Sequence, residues 1–488
     1  MSLVLLGFYL LAGTFLTIYG LNILLTAWLY WCKRNEKVTC PPLTDTPRVT
    51  VQLPIYDELY VVELLIDAAA ALDYPRAQLQ IQVLDDSDDE TTAIAYKRVE
   101  YFRRRGIDIT LIRRTERSGF KAGALAAGLA RATGELIAIF DADFVPPRDF
   151  MKKTIPYFLA QPDLGLVQTR WGHLNGDYSA LTRAQAMALD GHFVVEQTAR
   201  SRNGLLFNFN GTAGVWRRAC VVQSGGWQSD TLSEDLDLSY RAQMRGWAFL
   251  FLSDVVAPAE LPPQIHAFKR QQFRWAKGST QCLLKLAPQI LTAPNLSLFK
   301  RVQGLFHLSG YLMNLLMVLL LLTQVPLIAM GTRFPEMLMY FSLAMFGPVT
   351  VYALSQRALY PDWTARFRYF FVLLLLGTGI ALNNSIAIVE AFTRRGNTFR
   401  RTPKFRVEGN GDSWDEKRYT LPFEWEVLGE LTLAAYALVG VALAWQQHFT
   451  WAIPFLLLYA AGFGFTGMLG LWHSRSARQR AIELVTAH

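Results

Sequence analysis

ELIAIFDAD, residues 135–143, is the stretch on which the fold turns. Glu135–Phe140 is an apolar run of strand length, and Asp141-Ala142-Asp143 stands at its carboxyl end. In an extended segment residues i and i+2 point to the same side, so Asp141 and Asp143 can share one hard cation that screens a diphosphate. A lone DxD is also what an ordinary acidic turn looks like, and its neighbours decide between the two. Upstream, Arg48–Ile55 (RVTVQLPI) alternates as a strand, Leu59–Leu72 has helical spacing, and Gln80–Leu84 is a second strand. That is a βαβ unit, and it ends in Asp85-Asp86, at the side of an open α/β sheet where ligands bind. The stretch from Thr46 to about Lys300 is therefore expected to be an α/β domain with acidic residues on one edge of its sheet.

Outside that middle the composition changes. The chain has 488 residues, 52% hydrophobic and 18% charged, with a net charge of +8. Soluble domains carry about 25% charged residues, and the deficit sits at the two ends. Leu3–Trp31 is nearly uncharged, long enough for the roughly 20 residues of a spanning helix, and followed by Lys33, Arg34 and Lys37. A secretory signal has the reverse order, so this is a membrane anchor with the globular middle in the cytosol. Leu305–Met330, Met337–Leu354, Tyr369–Phe392, Val427–Trp445 and Trp451–Trp472 are further candidate spans.

The charge pattern then conflicts with the count. Arg394, Arg395, Arg400, Arg401, Lys404 and Arg406 mark a cytosolic loop, and Arg475, Arg478 and Arg480 a cytosolic tail. Three full crossings before Arg394 would put that loop outside. One of the three segments is therefore expected to be re-entrant, interfacial or broken, with Asn383-Asn384 and Pro348 as candidate breaks. The expected divisions are an anchor (1–32), a cytosolic domain (46–300), membrane or interfacial helices (301–392), a basic cytosolic loop (393–423), two spans (424–473) and a cytosolic tail (474–488). Cys32, Cys40, Cys220 and Cys282 show no metal-ligand spacing and are expected as reduced thiols. No basic and aromatic interleaving points to nucleic acid.

Two further constellations carry chemistry. Thr231–Tyr240 (TLSEDLDLSY) reads as a helix start, with Ser233 as N-cap and Glu234, Asp235 and Asp237 in the first turn. One of those carboxylates can serve as a general base toward a hydroxyl. Gln271-Gln272-Phe273-Arg274-Trp275 lies on a basic amphipathic helix. Its arginine suits phosphate oxygens and its tryptophan suits a sugar face.

The order Asp86, Asp141-x-Asp143, Glu234-Asp235, Gln271-x-x-Arg274-Trp275 resembles the signature of membrane-integrated family 2 glycosyltransferases. Over about residues 48–290 the chain is most similar to cellulose-synthase-like A mannan and glucomannan synthases and their bacterial relatives. Gln168-Thr169-Arg170-Trp171, Asn210–Trp216, Gly225-Gly226-Trp227 and Glu260-Leu261-Pro262 carry that likeness. The resemblance implies a GT-A nucleotide-sugar domain, with a mixed, mostly parallel sheet, inserted between transmembrane helices. It implies that Asp85, Asp86 and Lys121 hold the nucleotide, and that Asp141 and Asp143 bind Mg²⁺ or Mn²⁺ and diphosphate. Asp235 would be the catalytic base with Glu234 beside it, Arg274 would hold the diphosphate, and Gln271 and Trp275 the acceptor. Gly211 and Thr212 occupy the place of the acceptor-lining loop, written there with Cys-Gly-Ser in cellulose synthases.

Phe399-Arg400-Arg401-Thr402-Pro403-Lys404 resembles the FxVTxK gating loop, with Arg401 in place of an apolar residue, which implies that Thr402 and Lys404 close over the donor. The implied reaction is an inverting transfer from UDP-glucose or GDP-mannose to a growing β-linked glycan, such as mannan, glucomannan or glucan. A single hexose added to a membrane lipid is the alternative. A non-catalytic scaffold is disfavoured because every signature acid is present.

Overall fold

The computed structural model describes residues 2–332, 334, 342, 345–393, 399–409 and 411–486, with side chains described up to 476. It opens with α1, Ser2–Lys33, one long apolar helix. Seven strands follow: β1 Val49–Ile55, β2 Leu79–Asp85, β3 Asp108–Arg113, β4 Leu136–Ile139, β5 Leu164–His173, β6 Gly214–Arg217 and β7 Ala248–Ala259. They form one sheet of order β3-β2-β1-β4-β6-β5-β7. β6 alone runs antiparallel to its neighbours, so the sheet is mixed and mostly parallel. The expected βαβ unit is present. Pro54 is tolerated in central β1 because the pairing with β4 ends at Gln52, and the missing N–H removes no bond on that side.

Apolar side chains of alternate strand residues go to opposite faces and nucleate two cores. Val51, Leu53, Ile81 and Val83 pack with Ile66 of α2 (Val62–Ala70), Val99 of α3 (Thr91–Arg103) and Ile155 further on. Leu84, Ile137 and Ile139 pack with Leu125 of α4 (Phe120–Arg131) on the other face. Ile155 belongs to α5, Phe150–Ala160. α6 (Ala180–Asp190) continues through a π-helical turn, Gly191–Gln197, into α7, Thr198–Arg202. α8 is Arg218–Gln223, and α9, Glu234–Met244, starts where expected. Ser233 stands at its N-cap position but makes no side-chain cap bond.

The long α10, Ile265–Thr292, carries the Gln271–Trp275 motif and leads to α11 (Leu298–Ser309) and α12 (Leu312–Ala329). α13 (Phe346–Leu359), α14 (Trp363–Arg366), α15 (Tyr369–Gly379) and α16 (Ala381–Phe392) follow, then α17 (Glu426–Gln446) and α18 (Ile453–Thr486). Among the described residues four helices are long and apolar enough to cross a bilayer: Ser2–Lys33, Leu312–Ala329, Glu426–Gln446 and Thr450–Ser476. The chain is thus built as a multi-pass membrane protein. Of the expected span Met337–Leu354, residues 337–341 and 343–344 lie outside the described residues, as do Arg394 and Arg395. The expected span Tyr369–Phe392 is two helices with a 40° bend, and the break falls at Ile380 rather than at Asn383-Asn384. Pro348 causes no break, since it sits in the first turn of α13, where its missing N–H is harmless.

Candidate active site

The carboxyl ends of β1, β2 and β4 are in register along one sheet edge, which brings the residues just past each strand into one cavity. Asp86, Lys121, Asp141, Asp143, Gly211, Glu234, Asp235, Gln271, Arg274, Trp275, Thr402 and Lys404 all line it. Residues that are 35 to 318 positions away from Asp86 thus share one wall.

Asp85 and Thr212 are not part of that wall. Consecutive residues at a strand end point oppositely, and Asp85 turns inward. Its carboxylate accepts from Ser87 N (2.9 Å), Thr92 Oγ1 (2.8 Å) and Arg113 (3.2 Å), which ties the β2 end to α3. Thr212 is fully buried, and its hydroxyl accepts from Asp141 N at 2.9 Å. It sets the backbone at the DxD instead of facing the cavity.

Asp86, Asp141 and Asp143 are each held by a cation. Arg114 grips Asp86 through two nitrogens, 3.0 and 2.5 Å, while also donating to Ser118 O and Phe120 O. Lys121 Nζ donates to Asp141 (2.5 Å) and to Gly211 O (2.9 Å); Lys404 Nζ donates to Asp143 (2.6 Å). Gly211 has φ +81°, and a Cβ there would lie 3.0 Å from Asp235 Oδ2, so no other residue fits without displacing the carboxylate. Asp235 Oδ1 accepts from Leu236 N at 2.8 Å. Burial, and then the charge of neighbouring Glu234, push Asp235 up to about 7 against the relief from Lys121. Burial raises Glu234 too, opposed by Lys121, and lowers Arg274, opposed by the surrounding carboxylates.

The 399–408 segment closes over this cavity. Arg401 pairs with Glu58 at 3.0 Å. The successive N–H groups of Phe405, Arg406 and Val407 converge on Glu260 at 2.9–3.3 Å, a nest made possible by positive φ at Arg406. Burial raises both Glu58 and Glu260 to about 7, with Arg401 and Lys404 respectively opposing it. Phe399 stacks on Phe120 at 5.6 Å, and Arg274 lies 5.0 Å over the Phe399 ring. Thr402 Oγ1 is buried with no hydrogen-bond partner among the described residues, and it faces the cavity. An orphaned hydroxyl beside two lysines and an arginine fits an oxyanion ligand.

The sequence offered no sign of Arg114, Arg117, Glu58 or Glu260 as parts of the site. Arg117 packs 3.3 Å over Tyr56 at the cavity wall. Glu260 stood inside a quoted motif, but only the fold shows what it holds.

Comparison with known proteins finds relatives of this domain. The Glycosyltransferase like family 2 model matches residues 47–278. A probable glucomannan 4-beta-mannosyltransferase 7 of Oryza sativa subsp. japonica is 43% identical over 54% of this chain and 46% of its own length. Glucomannan 4-beta-mannosyltransferase 2 of Arabidopsis thaliana is 40% identical over 57% of this chain and 54% of its own. The chain thus spans about half the length of the curated relatives it matches. The solved mannosyltransferase PcManGT from Pyrobaculum calidifontis, in complex with GDP-Man and Mn²⁺, shares the fold. Its TM-score is 0.56 at 22% identity, over 80% of this chain and all of that one. Over residues 47–278 the chain is thus similar to family 2 glycosyltransferases, on a fold shared with a solved mannosyltransferase.

Proposed function

We propose that the protein is an inverting hexosyltransferase that extends a β-1,4-linked mannan or glucomannan from GDP-mannose, with its catalytic domain on the cytosolic side. The observation that carries this reading is one cavity lined by Asp235, the Asp141–Asp143 pair and the cations Lys121, Arg274 and Lys404. The names of the plant relatives, and the GDP-Man held by the archaeal structure, favour mannose and guanosine over UDP-glucose.

Asp235 takes the proton of the acceptor hydroxyl, which attacks the anomeric carbon in line with the departing diphosphate. Glu234 keeps Asp235 basic enough for the task. Asp86, fixed by Arg114, receives the nucleoside; Lys121, Arg274, Lys404 and the Thr402 hydroxyl meet the diphosphate, whose growing charge they stabilise. Gln271, Trp275 and Gly211 border the acceptor. Asp141 and Asp143 would hold Mg²⁺ or Mn²⁺. Among the described residues no group of three or more His, Cys, Asp or Glu forms a protein cage, which suits a cation held by one or two carboxylates plus substrate phosphates. When bound, such an ion supplies charge neutralisation to the leaving diphosphate.

The test is to incubate purified full-length protein with GDP-mannose, manganese and a manno-oligosaccharide, then digest with β-1,4-mannanase. Mannanase-sensitive product longer than the primer is expected. A single-sugar product that stays in the organic phase would overturn the polymer reading, and no release of GDP would overturn the donor.

A further inference from the structure

The helix that begins at Ala180 does not stay α-helical. Over Gly191–Gln197 its bonding steps to i→i+5 before α-helix resumes at Thr198. Such π-turns are rare and concentrate at functional sites. Here the widened turn presents His192, Glu196 and Gln197 together to the turn that carries Asn208, Asn210 and Gly211.

The contacts form a continuous line. Glu196 Oε2 lies 3.0 Å from His192 Nδ1, and His192 Nε2 lies 2.9 Å from Asn210 Oδ1. Gln197 Nε2 donates to Asn208 O (3.2 Å) and Oδ1 (3.3 Å) and lies 3.3 Å from His192 Nε2. Arg200 Nε donates to the other Glu196 oxygen at 3.1 Å, and His307 approaches it at 3.9 Å. Burial opposes the charge on Glu196, but the bond from His192, then Arg200 and His307, overcome it and hold the carboxyl well below its usual range. The histidine ring is thus clamped from behind by a permanent anion, the arrangement that fixes an imidazole's orientation. Ahead of it, Asn210 N donates to Gln168 Oε1 at 2.9 Å. The next peptide, Gly211, is held by Lys121 and lies against Asp235. Asn210 itself lines the cavity, and its Nδ2 makes one long bond, 3.5 Å to Asn208 O. That amide can meet an acceptor oxygen.

We propose that His192, clamped by Glu196, is a positioning residue for the acceptor: it aims the Asn210 amide and sets the Gly211 peptide, so that the incoming hydroxyl lies against Asp235. This rests on the transferase reading above. None of the donor-side groups, Asp86, Lys121, Asp141 or Arg274, touches His192 or Glu196 through a hydrogen bond or ion pair among the described residues. The link to donor binding is indirect, through the Gly211 oxygen that Lys121 holds. A water molecule needs no aiming, so loss of His192 favours hydrolysis of the donor over transfer.

The experiment compares wild type with His192→Ala, His192→Gln and Glu196→Gln full-length protein. It measures free mannose and oligosaccharide-linked mannose from GDP-mannose separately, and GDP affinity by titration. Turnover by wild type, the test of the donor reading, is the baseline against which the partition is read. Expected is a loss of transfer of about tenfold in His192→Ala, the worth of one hydrogen bond to a charge-supported donor. Hydrolysis and GDP affinity stay within twofold of wild type, and His192→Gln, which keeps a donor, recovers part of the transfer. Glu196→Gln is expected to shift the same ratio in the same direction. A wild-type ratio of transfer to hydrolysis in both His192→Ala and Glu196→Gln would overturn the proposal. So would a parallel fall of GDP affinity, hydrolysis and transfer, the signature of a merely structural residue.

Discussion

Gly211→Ala isolates the contact on which the proposed base depends. The backbone there has φ +81°, and an L-side chain in that region costs about 1–2 kcal/mol. The new methyl would sit 3.0 Å from Asp235 Oδ2 and 3.4 Å from Lys121 Nζ. Neither neighbour retreats easily, since Asp235 Oδ1 is bonded to Leu236 N at 2.8 Å and Lys121 is bonded to Asp141 at 2.5 Å. The carboxylate must move by a few tenths of an ångström, on a scale where about 1 Å costs about 10²-fold. The expected loss in kcat is therefore about 3- to 10-fold, with GDP affinity unchanged. Gly106→Ala is the control: φ is +78°, but nothing lies within 4 Å of its Cβ, so it carries the same strain without the contact. Its stability should fall as in Gly211→Ala while its kcat stays at wild type. The assay is initial-rate GDP release at saturating donor and acceptor, alongside thermal unfolding in detergent. Equal kcat values for the two variants would refute the reasoning.

Asp235 must be ionised to accept a proton. Because burial and Glu234 raise it to about 7, kcat should fall about tenfold per unit below that pH and level above it. Glu234→Gln removes the raising charge, so the acid limb should move to lower pH; an unmoved limb would assign it to another group. Lys269 and Glu430 pair at 2.6 Å with both side chains essentially inaccessible, and join α10 to α17. Lys269→Met should cost about 3–5 kcal/mol in unfolding, and Lys269→Met with Glu430→Leu should recover most of it; a double variant as unstable as the single would contradict this. In a background with the other cysteines removed, cysteines at Asp362 and Thr393 should react with an impermeant maleimide from the same side as Cys40. Labelling from opposite faces would show that the helices between them cross the membrane.

Much of the catalytic edge was legible because short-range rules govern it. β1, β2 and β4 came from apolar runs of strand length, and the parallel register then forces whatever follows each strand into one place. The same alternation explains why Asp85 is not in the cavity: two adjacent aspartates at a strand end cannot both face a ligand, and the buried one bonds Ser87 N and the Thr92 hydroxyl. Long-range pairing was invisible. Arg114 reaches Asp86 only because β3 pairs with β2. Arg401 reaches Glu58, 343 positions away, only because the basic segment folds back over the sheet edge. The π-turn at Gly191 leaves no periodic trace either, since one extra residue in a helix shifts the pattern without breaking it.

The extra crossing implied by the sequence meets a set of contacts that tie the later helices back to the globular domain. α12 leaves the globular domain, and α13 returns to it: Gly347 packs on Gly20 and Ile23 of α1, and Gln356 and Tyr360 donate to Asp190 of α6. The next pair, α15 and α16, starts at Tyr369, bonded to Arg183 of α6, and ends near Glu390, paired with Lys277 of α10 at 2.9 Å. Between them Asn383 donates to Lys269 O at 3.1 Å. A segment anchored to one globular domain at both ends and near its middle does not traverse an apolar layer about 30 Å thick. We propose that α15 and α16 lie along the domain face of the membrane as a bent interfacial pair, which the maleimide labelling at positions 362 and 393 tests. Arg401, Lys404 and Arg406 emerge beside the catalytic cavity, as their contacts with Glu58, Asp143 and Glu260 require. α17 and α18 then go out and back, and His473 Nδ1 accepts from Ile265 N at 3.1 Å. On this proposal the basic residues and the helices agree on one topology, in which the segment that does not cross is the one that seats the QxxRW helix against the membrane.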